Sequence, residues 1–140
     1  MRTGLTRLAL PVLALGLLAG CEQGEFSIQG TWGWNNLDAC TGENRTIVAF
    51  DGTTIRSVAN GANLFGQDDL TTEQVEREDG TYVIATYTQR DMRVQDTYKV
   101  ISQDEIEFVS QTMDGDINPV VSEFVGTKAY RCPAEEGGAS

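Results

Sequence analysis

Residues 46–58 read TIVAFDGTTIRSV. Two β-rich runs flank an Asp-Gly pair, and Asp-Gly supplies the positive φ values of a tight type I′ turn. This stretch therefore predicts an antiparallel hairpin, and it decides the fold class. The same pattern recurs at residues 74–87, where Asp79 and Gly80 separate two further runs of this kind.

The chain after residue 20 continues in short runs of the same type. Apolar and polar residues alternate there, as in antiparallel strands with one wet face. Tight connections favour sequential strand order, and closing such a meander removes its unpaired edges. We therefore expect an all-β, antiparallel, up-and-down small barrel of about eight strands, with a β-sandwich as the alternative. The other predicted strands cover residues 26–34, 94–101, 105–112, 120–125 and 127–132.

The beginning of the chain has the pattern of an export signal. Arg2 and Arg7 form a basic start, and residues 8–18 are almost wholly apolar. This run is too short to span a bilayer, which needs roughly 20 residues. The combination is typical of a cleaved signal peptide.

The apolar run ends in Leu18-Ala19-Gly20-Cys21, which resembles the lipobox of bacterial lipoproteins. The resemblance implies cleavage before Cys21, a diacylglyceryl group on its thiol and acylation of its new amino group. Two or three acyl chains give an effectively permanent anchor, whereas one chain alone binds only marginally. The alternative is an ordinary secretory signal that leaves Cys21 as a free thiol.

The residue after the lipobox bears on the location. In enteric-type bacteria an Asp there tends to retain a lipoprotein in the inner membrane, but this chain has Glu22. We therefore expect a lipid-anchored protein of the cell envelope, at the periplasmic face of the outer membrane. The predicted organisation is a lipoprotein signal peptide at 1–20, the lipidated Cys and a tether at 21–27, a β-barrel domain at 28–132 and a flexible tail at 133–140.

The composition argues against several function classes. The chain has a net charge of −11 and no His. The signal peptide holds two Arg and no acid, so its removal changes the net charge from −11 to −13, which is unsuited to nucleic acid. Lack of His removes the usual general base and the commonest metal ligand. With no phosphate-binding loop or nucleophile elbow present, we expect no enzyme, no metal and no cofactor.

Two cysteines remain once Cys21 is lipidated, namely Cys40 and Cys132. Two thiols in an exported chain favour a disulfide, which would tie the region after the first strand to the last strand. In a strictly eight-stranded barrel the ends of those strands lie at opposite rims, so Cys40 would have to fold back. Two free thiols are the alternative.

The first predicted strand carries Gly30-Thr31-Trp32. This tripeptide resembles the Gly-x-Trp signature of lipocalins and related small barrels. The resemblance implies that Trp32 lies at the closed end of the barrel. It also implies that an Arg from the C-terminal strand, here Arg131, packs across Trp32 as a cation on an aromatic face.

The residues expected to contact a ligand come from the predicted inward faces. Trp34, Tyr82, Tyr98 and Phe108 offer large side chains for a small apolar molecule. Asp96 falls on the same face as Tyr98, and burying a carboxylate is unfavourable unless it is paired.

Three roles for Asp96 are therefore open. It faces a ligand, it pairs with an inward Arg such as Arg56 or Arg131, or it lies at a bulge that faces water.

The connection at residues 59–71 is longer than most in compact domains, and long loops are often functional. Leu64 and Phe65 lie in it between two glycines. They are predicted either to form an apolar lid or partner-contact patch, or to plug one end of the barrel.

The leading hypothesis is a membrane-anchored bacterial lipoprotein whose lipocalin-like barrel binds a small apolar ligand. One alternative is a protein-binding or inhibitor module of the envelope, similar to lysozyme inhibitors, in which the acidic barrel attracts a basic protein. Another is a structural envelope lipoprotein without a ligand. The expected partners are the lipid bilayer, through acylated Cys21, and either the small ligand or a basic envelope protein.

Overall fold

The computed structural model describes residues 25–134. They form one antiparallel sheet of ten strands and two short 3₁₀ helices, at Leu37–Cys40 and Pro119–Phe124. The expected all-β, antiparallel class is therefore confirmed. Residues 1–24, which include the predicted signal peptide and Cys21, and residues 135–140 lie outside the described part of the chain, so the expectations about them stay predictions.

The strands follow one another at short intervals. Their order in the sheet is β4-β3-β2-β1-β10-β8-β7-β6-β5, and β9 pairs with β8. Most consecutive strands are neighbours, as the tight turns predict. The strands are β1 Gly30–Trp34, β2 Ile47–Asp51, β3 Thr54–Ala59, β4 Ala62–Gln67, β5 Thr71–Arg77, β6 Gly80–Gln89, β7 Met92–Ser102, β8 Glu105–Met113, β9 Asp116–Ile117 and β10 Lys128–Arg131.

The sheet curls around a core but is not closed by hydrogen bonds. It ends at β4 and β5, which are consecutive and joined by residues 68–70. β4 pairs with β3 and β5 pairs with β6, but β4 and β5 do not pair with each other. Inside, the ring of Phe65 on β4 stacks on Tyr87 of β6, with centroids 5.5 Å apart. The expected closed barrel of about eight strands is therefore corrected to an open barrel of ten.

β4 occupies the segment that was predicted to be a loop. Asn60 and Gly61 have positive φ values of 51° and 82° and form the two-residue turn between Ala59 and Ala62. Asn-Gly is a strong signal for a type I′ hairpin turn. The turn therefore starts a strand even though the residues after it have a weak β pattern.

The predicted strand at residues 120–125 is wrong, because a 3₁₀ helix, Pro119–Phe124, lies there. Pro119 lacks an N–H and suits a first helical turn. The side chain of Asn118 caps the helix by accepting a hydrogen bond from the Val120 amide at 3.1 Å. We refer to Pro119–Phe124 as the rim helix.

The expected disulfide joins Cys40 to Cys132, with Cα atoms 5.7 Å apart and a sequence separation of 92. The helix Leu37–Cys40 turns the chain back over β1. This brings Cys40 to the end of β10, the strand that pairs with β1 and precedes Cys132. Gly33 provides the space, since a Cβ added there would lie 2.8 Å from Cys40 Sγ.

One end of the barrel is covered by the segment before β1. Trp32 is fully buried there, and the Cζ atom of Arg131 lies 4.3 Å from its ring centroid. The guanidinium also donates hydrogen bonds to the carbonyl oxygens of Ser27, Gln29 and Gln103. Arg131 thus ties the N-terminal segment to the last strand, and we refer to this region as the closed end.

Candidate functional site

The interior of the open barrel contains a pocket of about 380 Å³. Ligand pockets usually measure roughly 300–1,000 Å³, so this pocket suits a small molecule. Its wall is built from β1–β4, β6–β8 and the rim helix, and most of it is apolar. Among the described residues that line it, Asp96 has the only charged side chain.

Asp96 is the centre of a buried polar network in the pocket wall, and it is only 4% exposed. Tyr87 Oη donates a hydrogen bond to Asp96 Oδ2 at 2.8 Å, and Gln111 Nε2 donates one to Oδ1 at 2.7 Å. Gln111 is oriented in turn by Asn118, whose Nδ2 donates to Gln111 Oε1 at 2.7 Å. The network therefore connects β6, β7 and β8 to the cap of the rim helix.

The carboxylate of Asp96 has neutral hydrogen-bond donors but no ion-pair partner within residues 25–134. Arg56 is exposed and Arg131 lies at the closed end, so the predicted pairing with either is wrong. Burial raises the pKa of Asp96 above its usual value, although hydrogen bonds from Gln111, Tyr87 and Tyr98 oppose the shift. The pocket thus holds a carboxyl group whose negative charge is incompletely compensated.

Tyr87 and Tyr98 stay neutral beside this carboxyl group. Burial raises the pKa of each phenol, and the charge of Asp96 raises both further. Both phenols therefore act toward Asp96 as neutral hydrogen-bond donors.

Aromatic rings make up much of the pocket wall. The ring centroid of Tyr98 lies 5.9 Å from that of Phe108 and 6.5 Å from that of Trp34. With the stacked pair of Phe65 and Tyr87, and with Phe124 of the rim helix, six aromatic rings line the pocket.

Four of the five predicted ligand contacts line this pocket. Trp34, Tyr98, Phe108 and Asp96 come from β1, β7 and β8 and surround one space. Tyr82 is the exception, because it is absent from the lining residues of this pocket.

Tyr82 packs on the outer face of β6. The guanidinium carbon of Arg77 lies 4.5 Å from its ring centroid, and its hydroxyl donates to Asp79 at 2.7 Å. The inward face of β6 carries Val83 and Tyr87 instead. The prediction for Tyr82 is wrong because the run around it is apolar on both faces, so alternation does not reveal the register.

Leu64 and Phe65 both line the pocket from β4 rather than from a loop. Phe65 is half-buried, whereas Leu64 is 61% exposed at the pocket mouth. Phe124 of the rim helix is 50% exposed and lines the same pocket. Leu64, Phe65 and Phe124 thus form an apolar pocket mouth, and the roles of Leu64 and Phe65 as a lid, a partner contact or a plug stay predictions.

Sequence reasoning did not single out Tyr87, Gln111 or Asn118 as site residues. Tyr87 shares the inward face of β6 with Val83, but the run around it is apolar on both faces, so the sequence does not show which face is inward. No local signal marks Gln111, because its orientation depends on an irregularity in β8.

Residues 25–134 contain no group of three or more His, Cys, Asp or Glu side chains placed to hold a metal ion. Within the same residues, no helix is long and apolar enough to cross a membrane. Comparisons of the chain with protein-family models, with curated proteins and with solved structures found no match.

Proposed function

We propose that the protein is a membrane-anchored bacterial lipoprotein whose lipocalin-like barrel binds a small apolar ligand. The observation that carries the proposal is the largely apolar interior pocket of about 380 Å³. A concave apolar site with a few convergent polar groups is the usual form of a small-molecule site. The network around Asp96 supplies those polar groups.

The mouth of this pocket and the segment that leads to the proposed anchor lie at opposite ends of β1. Residues 25–29 precede β1 at the closed end, whereas Asn35, which lines the pocket, follows it. Five residues of strand span roughly 16 Å. With acyl chains on Cys21, the closed end would be nearest the bilayer, and the ligand would enter from the aqueous side.

The test is a titration of the exported chain, made soluble by Cys21→Ser, with the neutral fluorescent probe N-phenyl-1-naphthylamine. We expect a saturable rise in fluorescence at one probe per chain. Ser57→Trp places a large ring in the pocket and should abolish the signal. Arg56→Trp, at the exposed neighbouring position, should leave it unchanged.

Two results would contradict the proposal: no saturable binding by the parent chain, or equal loss in both Trp variants while circular dichroism shows that both are folded. Either result would favour one of the two alternative functions, a protein-binding or inhibitor module or a structural envelope lipoprotein, in which the interior holds no ligand.

A further inference from the structure

We propose that the pocket selects ligands that carry a cationic amine on an apolar body, with Asp96 as the counter-ion. This inference rests on the proposed function and names the ligand class for the same pocket. Three features of the wall carry it: an uncompensated charge, remaining acceptor capacity and a set of aromatic rings.

The first feature is the isolated charge of Asp96. It is the only charged side chain among the described residues that line the pocket, and it is 4% exposed. A buried charge is strongly unfavourable unless it is paired. A ligand ammonium group would supply the pairing charge that the barrel itself does not place there.

The second feature is the remaining acceptor capacity of the carboxylate. An ionised carboxylate has about four lone-pair sites. Tyr87 donates to Oδ2 of Asp96 and Gln111 donates to Oδ1, and the hydroxyl of Tyr98 is a third hydrogen-bond donor to this carboxylate. Because Asn118 engages the carbonyl oxygen of Gln111, the amide of Gln111 is fixed as a donor. Three of these sites are thus occupied, and about one remains for an N–H of the ligand.

The third feature is the aromatic wall. Cations are attracted to the faces of aromatic rings, and six rings line this pocket: Trp34, Phe65, Tyr87, Tyr98, Phe108 and Phe124. A ligand carboxylate would instead bring a second negative charge to the same apolar site, which is unfavourable. The wall thus discriminates by the sign of the ligand's charge.

The proposed selectivity depends on pH in a defined direction. The titratable groups that face Asp96 are Tyr87 from β6 and Tyr98 from β7, and both stay neutral. β8 contributes the neutral Gln111. Because burial raises the pKa of Asp96, more of it is ionised at higher pH. Affinity for an amine should therefore increase as pH rises, and affinity for a neutral ligand should not.

The experiment compares octylamine, octanol and octanoate by calorimetric titration of the Cys21→Ser chain. We expect octylamine to bind at least about tenfold more tightly than octanol, a difference of ~1.4 kcal/mol, and octanoate to bind most weakly. The preference for octylamine should grow from about pH 5 to about pH 8, with octanol unaffected. This series requires no mutation of the pocket.

Two variants assign the preference to one carboxylate. Asp96→Asn should abolish the preference for octylamine while octanol binding changes little. Asp91→Asn removes the same charge from an exposed turn and should preserve the preference.

Equal affinities of octylamine and octanol for the parent chain, or a preference that survives Asp96→Asn, would overturn the cationic assignment and leave the binding function intact. Failure of all three compounds to bind would overturn the binding function itself.

Discussion

Gln111 on β8 donates a hydrogen bond to Asp96 on β7, with 2.7 Å between Nε2 and Oδ1. Strict alternation from Ile106 and Phe108, which are buried, would turn residue 111 outward. The register between the two strands shifts just beyond Phe108, so that β8 gains one residue and Gln111 pairs with Asp96. Bulges commonly re-aim a side chain next to a functional site. This bulge provides the buried carboxylate with a donor.

The raised pKa of Asp96 predicts a loss of stability as pH rises. A carboxyl group whose pKa is higher in the folded than in the unfolded state stabilises the fold below its unfolded pKa, and this stabilisation is lost as pH rises through the folded pKa. Asp96→Asn should therefore raise the urea midpoint at about pH 8, with a smaller difference near about pH 4. A midpoint difference that does not vary with pH would contradict this explanation.

The link between Asn118 and Gln111 predicts coupled effects on stability. Asn118→Ala removes both the cap of the rim helix and the group that orients Gln111. We expect Asn118→Ala and Gln111→Ala each to lower the free energy of unfolding by about 1 kcal/mol. In the double variant the losses should be less than additive by about 0.5–1 kcal/mol. Urea unfolding of the four chains measures this, and strict additivity would show that the two residues act independently.

The contribution of Arg131 to the stability of the fold is predicted to depend on the shape of its side chain as well as on its charge. Its guanidinium lies over Trp32 and binds three carbonyl oxygens, which the ammonium of a Lys cannot match. Arg131→Lys should lower the free energy of unfolding by about 2–3 kcal/mol. Arg56→Lys, at an exposed position, should change it by less than about 0.5 kcal/mol. Equal effects of the two variants would contradict this role.

Most of the meander was predictable because its turns carry local signals. The Asp-Gly pairs mark hairpins, although Asp51 pairs with Thr54, so that the turn lies one residue later than expected. The Asn60-Gly61 pair also marks a hairpin turn, although the residues after it lack the alternation of a half-buried strand. These turn signals are local, so they do not predict that the sheet ends at β4 and β5.

The candidate site was less predictable because it depends on register. Trp34 and Tyr98 line the pocket as expected, since each lies in a strand with clear alternation. Tyr82 belongs to a run that is apolar on both faces, so the choice of face depends on tertiary packing. The position of Gln111 depends on a bulge, which no pattern within β8 specifies.

The lipobox resemblance predicts a covalent change at Cys21. Expression in a bacterium that processes lipoproteins should yield a chain that begins at Cys21 and carries two or three acyl chains. It should partition with membranes, whereas Cys21→Ser should remain in the aqueous fraction. Intact-mass spectrometry of both chains measures this. An unmodified thiol at Cys21 would indicate an ordinary secretory signal.

Gly33 and Cys40 predict a steric dependence between a strand and the disulfide. A Cβ at residue 33 would lie 2.8 Å from Cys40 Sγ and 3.1 Å from the carbonyl oxygen of Asn36, so the helix after β1 would have to move. Gly33→Ala should therefore lower the free energy of unfolding by about 1–3 kcal/mol. Urea unfolding under oxidising conditions measures this loss.

The matched background is the chain with Cys40→Ala and Cys132→Ala, which should itself lose roughly 4–5 kcal/mol because the long loop is no longer closed. With the sulfur atoms gone, Gly33→Ala should be less destabilising than in the disulfide-bonded chain, which gives a measurable coupling. The same loss in both backgrounds would mean that the Asn36 carbonyl, rather than the disulfide, excludes a side chain at residue 33.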